Sequence, residues 1–335
     1  MYRIALDVMG GDFAPQVTLE GATFALKSFP ELHLVLVGPQ RVIAPFLTYP
    51  RVEGIFAEEV VYMDESPGEA LKKKRGASIF VGLDLLKKGY AQAFVSAGNS
   101  GAVVAGSMFI LGRLTGVRRP AIATLLPTLR EPMVLIDAGA NVDSKPYDLY
   151  QFAVMANLFL ETIWGRPQPK IALLSIGEEI GKGNFLVKET HKLLSASSLN
   201  YYGNIEGRDI YRGEVDIVVC DGFIGNICLK LSEGLAETIL EMLKKEVKES
   251  FLYLLGMSLA KGALKAFKKK TDWREYGGAP LLGVKGNVII SHGKSDALAI
   301  KNALRQALHF AKLDLANQLE KAIQQHHIEE EEVAD

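Results

Sequence analysis

The stretch VVCDGFIGNICLK, residues 218–230, is apolar at its start, polar and glycine-rich in its middle, and apolar again towards its end. Its first residues have the composition of a buried β-strand, and its last residues have that of a helix. Between the two stand Asp221, Gly222, Gly225 and Asn226. The stretch therefore predicts a strand, a tight turn and a helix whose unpaired N–H groups face the end of the strand.

The same alternation of short apolar runs and longer helical segments extends along the whole chain. Eight runs have the length and the residue types of buried strands, namely 3–8, 32–38, 91–98, 121–127, 132–139, 169–177, 215–222 and 287–293. Segments with helical periodicity lie between them, for example 17–29, 150–163 and 297–313. Strands that are apolar on both faces are typical of parallel sheets covered by helices on both sides. We therefore predict a three-layer, Rossmann-like α/β fold with a largely parallel sheet.

Composition limits the class of protein. The chain has 335 residues, of which 48% are hydrophobic, and its 38 basic residues nearly balance its 39 acidic ones. This balance does not favour nucleic-acid binding, so an acidic partner has to be met by a local basic patch. Because the sequence shows neither a signal peptide nor a membrane-spanning run, we expect a cytoplasmic protein. We expect one α/β catalytic domain over 1–323, a projecting helical hairpin over 230–275 and a disordered acidic tail over 324–335.

Polar residues and glycines are concentrated directly after the predicted strands. Six loops share this feature, namely 7–12, 96–102, 137–141, 175–184, 220–226 and 291–295. Ligands of parallel α/β sheets bind beyond the carboxyl ends of the strands, where helix N-termini present free N–H groups. We therefore expect the six loops to converge on one anion site. No loop has the glycine pattern of a dinucleotide site or of a P-loop, so the expected anion is a simpler one.

Few residues in the sequence have the setting of a nucleophile or a metal ligand. Cys228 lies near the start of a predicted helix, but no histidine is close to it in the sequence. Ser100 does not stand in a nucleophile elbow and is expected to cap a helix. His292 is the one histidine at the end of a predicted strand, and we expect it to line the site. No set of clustered metal ligands is present, so we predict neither a metal nor a cofactor.

Taken together, these segments resemble the bacterial phosphate acyltransferases of the PlsX type. The resemblance rests on IALDVMGGDFAP, SAGNSGA, RRPAIATLLPT, DAGAN, CDGFIGNICLK and the stretch from GGAPLLGVKGN to IKNAL, and it runs from Ile4 to about Ala311. It implies a homodimer, associated peripherally with anionic membranes, that transfers a long-chain acyl group from acyl carrier protein to inorganic phosphate. The acyl phosphate formed would serve phospholipid synthesis. Three residues depart from the family pattern, namely Ala77, Ser100 and Asp296, the last of which adds negative charge near the expected anion site.

The expected reaction needs little chemical machinery beyond placement and charge stabilisation. Phosphate is already an anionic nucleophile, and a thiolate is a good leaving group. The predicted catalytic residues are Lys182, Asp221, Asn226 and His292, of which His292 orients phosphate or takes its proton. The predicted phosphate cradle consists of Gly10, Gly11, Asp12, Gly98, Asn99, Ser100, Gly101, Asp137, Asn141, Asn184, Gly222, Gly225 and Lys230. Since carboxylates repel phosphate, the aspartates are expected to fix the loops by accepting amide hydrogen bonds.

Two other functions remain open on the sequence alone. A phosphate acetyltransferase or butyryltransferase that uses coenzyme A would have similar chemistry at the edge of its sheet. A regulator that binds an anion without catalysis would have similar glycine loops. Use of acetyl coenzyme A in place of acyl carrier protein as the acyl donor would indicate the first alternative. The absence of turnover with either donor would indicate the second.

Residues 230–270 are predicted to form two long helical segments joined by the apolar stretch SFLYLLGM, residues 250–257. The first segment carries an apolar stripe that consists of Leu231, Leu235, Ile239, Met242 and Leu243. The second segment carries four lysines, Lys261, Lys265, Lys268 and Lys269. One interpretation is a hairpin that packs entirely against the body or against a second subunit. In the other, a dimer buries the stripe, while Leu254, Leu255 and the lysines contact acyl carrier protein or an anionic membrane.

Overall fold

The computed structural model describes residues 1–325, except for the side chains of 268–271, 273 and 325. Eleven strands of the described chain form one continuous sheet. They are β1 (Tyr2–Asp7), β2 (Leu32–Gly38), β3 (Val52–Phe56), β4 (Ala93–Ser96), β5 (Ala121–Leu126), β6 (Met133–Ile136), β7 (Ile171–Leu174), β8 (Tyr201–Ile205), β9 (Ile217–Val219), β10 (Ala279–Leu282) and β11 (Asn287–Ile290). Their order in space is β3-β2-β1-β4-β11-β10-β5-β6-β9-β7-β8.

Helices alternate with the strands, as the sequence predicts. They are α1 (Gln16–Ser28), α2 (Gln40–Ile43), α3 (Pro67–Lys73), α4 (Ser78–Lys87), α5 (Ser100–Gly106), α6 (Pro146–Trp164), α7 (Phe185–Ala196), α8 (Gly222–Lys248), α9 (Phe251–Leu259), α10 (Lys261–Thr271), α11 (Ala297–Leu313) and α12 (Leu315–Gln325). A π-helical turn, Ser107–Leu111, continues α5. None of the described helices is both long enough and apolar enough to cross a membrane.

The sheet consists of two parallel blocks that run in opposite directions. Strands β1, β2, β3, β4 and β11 are parallel to one another, and so are β6, β7, β8 and β9. Between the blocks, β10 and β5 pair antiparallel with each other and with their outer neighbours. The prediction of a largely parallel α/β sheet is confirmed. The six polar loops do not all leave the same edge of the sheet, because the carboxyl ends of the two blocks point in opposite directions.

The core lies on both faces of the sheet. On one face, α1 packs against α11 and α12 packs against α6, over the apolar side chains of both blocks. α6 is buried along most of its length because its sequence is apolar on nearly every side. On the other face, α3, α4 and α5 cover the first block, and the start of α8 covers the second.

The predicted hairpin differs from the observed one. The apolar stretch 250–257 is not a turn, because most of it forms α9, in which none of the residues is buried. Three helices therefore follow one another, with joints near Ser250 and Ala260. At the other end of the chain, α12 extends to Gln325, so the first two residues of the expected tail are helical. The rest of that tail lies outside the described residues.

Candidate active site

The loops after β1, β4 and β11 come together and form what we call the first loop cluster, residues 8–12, 97–101 and 291–295. The Asp12 N–H donates to the Gly293 carbonyl over 2.8 Å. A β-carbon on Gly10 would lie 2.6 Å from the Gly98 nitrogen, and one on Gly11 would lie 3.1 Å from the Gly293 oxygen. Gly11 also has a φ of 107°, which favours glycine. These glycines are needed because the three loops approach one another too closely for a side chain.

The Asp7 carboxylate, at the end of β1, holds the loops of the first loop cluster in place. Its carboxylate is buried and accepts hydrogen bonds from the Ser96 hydroxyl over 2.7 Å and from the Met9 N–H over 3.1 Å. Ser96 in turn accepts the Gly98 N–H over 3.0 Å. Burial raises the pKa of Asp7, and these hydrogen bonds oppose the effect. Asp7 therefore fixes the loops, which is the role that the sequence predicts for the aspartates.

Asn99 is occupied by structural bonds. Its side-chain oxygen accepts the Ala102 N–H and so caps α5, and its amide nitrogen donates to the carbonyls of Tyr62, Met63 and Glu65. The cap that we expected at Ser100 is thus formed by the residue before it, and Ser100 is exposed as the first residue of α5. The next residue, Gly101, packs against Pro67. Within residues 97–101 of the first loop cluster, Ser100 is therefore the residue whose side chain is exposed to solvent.

The second loop cluster consists of residues 137–141 and 221–226, which follow β6 and β9. The buried Asp137 carboxylate accepts five hydrogen bonds between 2.7 and 3.1 Å, from the N–H groups of Ile122, Gly139, Ala140 and Asn141 and from the Asn141 side-chain amide. The same Asn141 amide nitrogen donates to the Pro120 carbonyl over 2.7 Å. Burial raises the pKa of Asp137, against the effect of these bonds. Asp137 and Asn141 therefore hold the loop in shape.

The start of α8 is locked onto this loop. Asp221 caps the helix by accepting the Ile224 N–H over 3.0 Å, and the Gly222 N–H donates to the Asn141 carbonyl over 2.8 Å. A β-carbon on Gly225 would lie 1.9 Å from the Asp137 carbonyl oxygen, so only glycine fits there. Asn226 follows with an exposed side chain that lies over Gly139. The glycines of the opening stretch thus bring the helix N-terminus against the Asp137 loop and leave Asn226 facing outward.

α8 connects the two loop clusters. Lys230 lies nine residues after the cap, which is roughly 13 Å along the helix axis. Its Nζ is 2.5 Å from Nε2 of His292 in the first loop cluster and 2.9 Å from Oε2 of Glu233. His292 Nε2 is 3.4 Å from the same Glu233 oxygen. Although the two blocks of the sheet point in opposite directions, α8 therefore brings polar residues of both together.

The loop after β7 stands apart from both clusters. Asn184 caps α7 by accepting the Val187 N–H over 3.0 Å. The Lys182 side chain is exposed, and its backbone N–H donates within its own loop, to the Glu179 carbonyl. Among the described residues, Lys182 forms no hydrogen bond or ion pair with either loop cluster. The structure therefore does not bring these two predicted residues into contact with the others.

Sequence reasoning missed several charged residues near the clusters. Arg118 and Arg119 stand just before β5, and each guanidinium lies about 3.5 Å from the buried carboxylate of Asp148. The two arginines before Pro120 are visible in the sequence as a local positive charge. Their ion-pair partner, Asp148, lies about thirty residues later, so the sequence does not show the contact. Glu233 could not be identified from the sequence, because acidic residues are common on the polar face of an amphipathic helix.

The Asp296 carboxylate, which we expected to add negative charge near the anion site, is paired with a guanidinium. Asp296 caps α11 by accepting the Ala299 N–H, and its other oxygen lies 2.7 Å from the Arg274 guanidinium. Asp272 binds the same guanidinium, and together the two carboxylates raise the pKa of Arg274. This departure from the family pattern therefore adds an ion pair and not an unpaired charge.

The two cysteines have no features of activated nucleophiles. Burial raises the pKa of the Cys220 thiol well above its usual value and also raises that of Cys228, and the nearby Asp221 carboxylate adds to both effects. Within residues 1–325 the structure shows no group of three or more histidine, cysteine, aspartate or glutamate side chains placed to hold a metal ion. The site geometry thus offers hydrogen-bond donors and positive charge but no activated thiol.

Sequence comparisons extend the match over almost the whole chain. The sequence pattern of the fatty acid synthesis protein family matches residues 2–318. A phosphate acyltransferase of Nitratidesulfovibrio vulgaris (strain DP4) is 49% identical over 326 residues, covering 96% of this chain and 94% of the relative. One from Syntrophotalea carbinolica is 50% identical over 309 residues, covering 91% and 89%. The chain belongs to the phosphate acyltransferase family.

Two solved structures of other proteins have a similar fold. A branched-chain phosphotransacylase from Enterococcus faecalis V583 superimposes with a TM-score of 0.58 at 16% identity, covering 93% of this chain and 99% of the other. A phosphotransacetylase from Streptococcus pyogenes superimposes with a TM-score of 0.57 at 18% identity, covering 96% and 94%. At such low identity the comparison shows a shared α/β fold and carries no information about the substrate of this phosphate acyltransferase.

Proposed function

We propose that this enzyme transfers a long-chain acyl group from acyl carrier protein to inorganic phosphate, and that phosphate attacks the thioester directly. The observation that carries the proposal is the start of α8. There, Gly222 and Gly225 pack against the Asp137 loop, and the exposed Asn226 amide lies beside the helix N-terminus. Gly222 and Ile224 already donate their N–H groups within the protein, so the exposed Asn226 amide is the donor here that favours an anion, as a phosphate nucleophile and the oxyanion of a thioester both require.

The absence of an activated thiol among the described residues supports the direct mechanism. A covalent acyl-enzyme needs a thiolate or an activated hydroxyl, but burial disfavours the thiolate form of both cysteines. Placing phosphate and thioester in a reactive arrangement recovers roughly 7–11 kcal/mol of the barrier, and each well-placed oxyanion donor contributes about 3 kcal/mol. Placement of the reactants by the two loop clusters would therefore lower the barrier substantially without a covalent intermediate.

The experiment that tests the proposal measures phosphate-dependent acyl transfer. The protein is incubated with palmitoyl acyl carrier protein and phosphate, and acyl phosphate is trapped with hydroxylamine as the hydroxamate. We expect hydroxamate only when phosphate is present, and none from acetyl coenzyme A. Turnover of acetyl coenzyme A in its place would indicate the coenzyme A-dependent alternative, and no turnover of either donor would indicate a non-catalytic anion-binding protein.

We further propose that the projection over residues 230–275 forms a homodimer and contacts a membrane or the carrier protein. The stripe predicted from the sequence is exposed on α8, and α9 exposes Phe251, Leu252, Leu254 and Leu255. Lys261 and Lys265 follow on α10. A second subunit would cover the stripe, and α9 would enter the interface of an anionic membrane. A lysine near such a surface contributes about 1 kcal/mol to the free energy of membrane binding. A cytoplasmic enzyme with α9 and these two lysines would therefore bind membranes reversibly.

A further inference from the structure

The segment 272–278 links the end of α10 to β10 and contacts both ends of the loop after β11. We call it the connecting segment. At the start of the loop, the Ser291 hydroxyl donates to the Gly277 carbonyl over 3.0 Å. Directly after the loop, Oδ2 of Asp296 lies 2.7 Å from Nη1 of Arg274. The connecting segment therefore holds both ends of a loop that belongs to the first loop cluster.

The Arg274 guanidinium is oriented by a second carboxylate. Its Nε and Nη2 donate to the two carboxylate oxygens of Asp272 over 2.7 and 2.5 Å, a paired arrangement that fixes the plane of the guanidinium. The Asp272 side chain is largely buried, whereas that of Arg274 is partly exposed. Arg274 is therefore held by Asp272 in one orientation, in which its remaining terminal nitrogen, Nη1, points to Asp296.

Asp296 connects this contact to the turn that carries His292. Its other oxygen, Oδ1, accepts the Ala299 N–H over 3.0 Å and caps α11. Within the turn, the Ser295 N–H donates to the His292 carbonyl over 2.9 Å, and the Lys294 N–H donates to Nδ1 of the His292 ring over 3.0 Å. The ring is thus oriented by backbone groups of a short turn that ends at Asp296. A displacement of Asp296 would change this turn and the direction of the ring.

The connecting segment is itself fixed against α11 and β11. A β-carbon on Gly277 would lie 2.3 Å from the Asn302 carbonyl carbon, and one on Gly278 would lie 2.6 Å from Cγ2 of Ile289. The Asn302 side-chain amide donates to the Arg274 carbonyl over 2.8 Å. Because these contacts leave no room for the segment to shift, Arg274 provides a fixed point for the loop after β11.

We propose that Arg274 is a positioning residue, which acts through Asp296 to hold the loop after β11 and the His292 ring in the arrangement that acyl transfer requires. The inference rests on the proposed function, in which the first loop cluster helps to place the reactants. The side chains of Arg274 and Asp296 are 29% and 42% exposed, and ion pairs exposed to this degree contribute little to the free energy of unfolding. Loss of the pair should therefore lower the rate much more than it lowers stability.

The test is a double-mutant cycle that consists of Arg274→Gln, Asp296→Asn and the double variant. Asparagine still caps a helix, so Asp296→Asn removes the charge of the pair and keeps the start of α11. A shift of about 1 Å in a positioning group lowers a rate by about 100-fold, and the loop remains held at Ser291, so we expect each single variant to lower kcat about 10-fold. The double variant should also lose about 10-fold and not 100-fold, because both substitutions remove the same contact.

Two further variants show whether the guanidinium itself matters. Arg274→Lys keeps the positive charge and should restore part of kcat. The matched control is Arg305→Gln, because Arg305 is an exposed arginine of α11 that donates to the Glu275 carbonyl of the connecting segment and has no bond to the loop after β11 among the described residues. It should have the parental kcat. Urea denaturation of all variants gives the change in stability for comparison.

A second measurement does not depend on activity. Amide hydrogen exchange, followed by mass spectrometry of peptides that cover 291–296, reports how firmly the loop is held. We expect faster exchange there in Arg274→Gln and Asp296→Asn, and parental exchange in Arg305→Gln. If the parent itself forms no acyl phosphate, the proposed function fails, and the exchange rates still decide whether Arg274 holds the loop.

Two results would overturn the inference. One is a parental kcat in Arg274→Gln, or in Asp296→Asn if the former does not fold, because a loss of stability alone would show that the pair serves only the fold. The other is a double variant whose kcat falls by the product of the two single effects, because the two side chains would then act independently.

Discussion

Replacing Gly225 with alanine tests whether acyl transfer needs the close contact between α8 and the Asp137 loop. A β-carbon at this position would lie 1.9 Å from the Asp137 carbonyl oxygen and 3.0 Å from the Cys220 sulfur. Real β-carbons essentially never approach another heavy atom to within 3.0 Å, so the helix start or the loop has to move by about 1 Å. Asn226 is the next residue of the helix and moves with it.

The size of the effect follows from this displacement. Inserting a methyl group into a tightly packed contact costs about 1–3 kcal/mol of unfolding free energy. A shift of about 1 Å in groups that position the reactants lowers the rate by about 100-fold. We therefore expect Gly225→Ala to fold, to lose about 1–3 kcal/mol of stability, and to lose about 100-fold in kcat/KM for acyl phosphate formation.

The assays are hydroxamate trapping for activity and urea denaturation for stability. Gly234→Ala is the matched control, because it lies on the same helix and a β-carbon there would have nothing within 4 Å. It should keep the parental activity and gain up to about 1 kcal/mol from helix propensity. If Gly225→Ala had the kcat/KM of Gly234→Ala, the reasoning about placement would be refuted. A loss of stability alone would then show that the contact serves only the fold.

Three further changes test the remaining parts of the proposal. Asn226→Asp replaces an amide donor with a negative charge and should raise the KM for phosphate at least 10-fold with unchanged stability; parental phosphate kinetics would remove this residue from the site. Cys228→Ala and Cys220→Ala, alone or together, should retain most of the activity apart from packing losses, whereas an acyl-cysteine formed at the catalytic rate would contradict direct attack. Leu254→Glu with Leu255→Glu should abolish sedimentation with anionic liposomes and spare turnover in solution; undiminished sedimentation would exclude α9 as the membrane contact.

Apolar runs identified most of the sheet, because a buried strand has to be apolar on both faces. All eight predicted strands are present in the structure, with ends that differ by a few residues. The three that were missed lack this signature. β3 (VEGIF) is a partly exposed edge strand, β8 (YYGNI) lies at the opposite edge, and β10 (APLL) is short and contains Pro280. Edge position and brevity weaken the hydrophobic pattern from which strands are predicted.

The polar loops have local causes in the sequence, whereas the exposure of their side chains does not. Glycines and aspartates after strands have a local cause, because an aspartate that accepts N–H bonds shapes its own turn, as Asp7, Asp137 and Asp221 do. Asn99 and Asn184 also have local partners, since each caps the helix that begins after it. Which side chains remain exposed to a ligand depends on packing between distant segments, which a loop sequence does not contain.

The assembly of the site depends on the direction of the strands, and for this reason it could not be predicted. A parallel block places all its loops at one edge, and the sequence shows only that each loop follows a strand. The antiparallel pair β10–β5 reverses the second block, so by sheet geometry alone the loops after β6 and β9 lead away from those after β1, β4 and β11. α8 starts at the second loop cluster, and its Lys230 contacts His292 in the first loop cluster. This helix therefore links the two loop clusters, although the sheet directs them to opposite edges. A 27-residue helix is much longer than a helix needed to connect neighbouring strands. Its first turns carry glycines where it meets the Asp137 loop and a lysine where it meets His292, so its sequence fits both contacts.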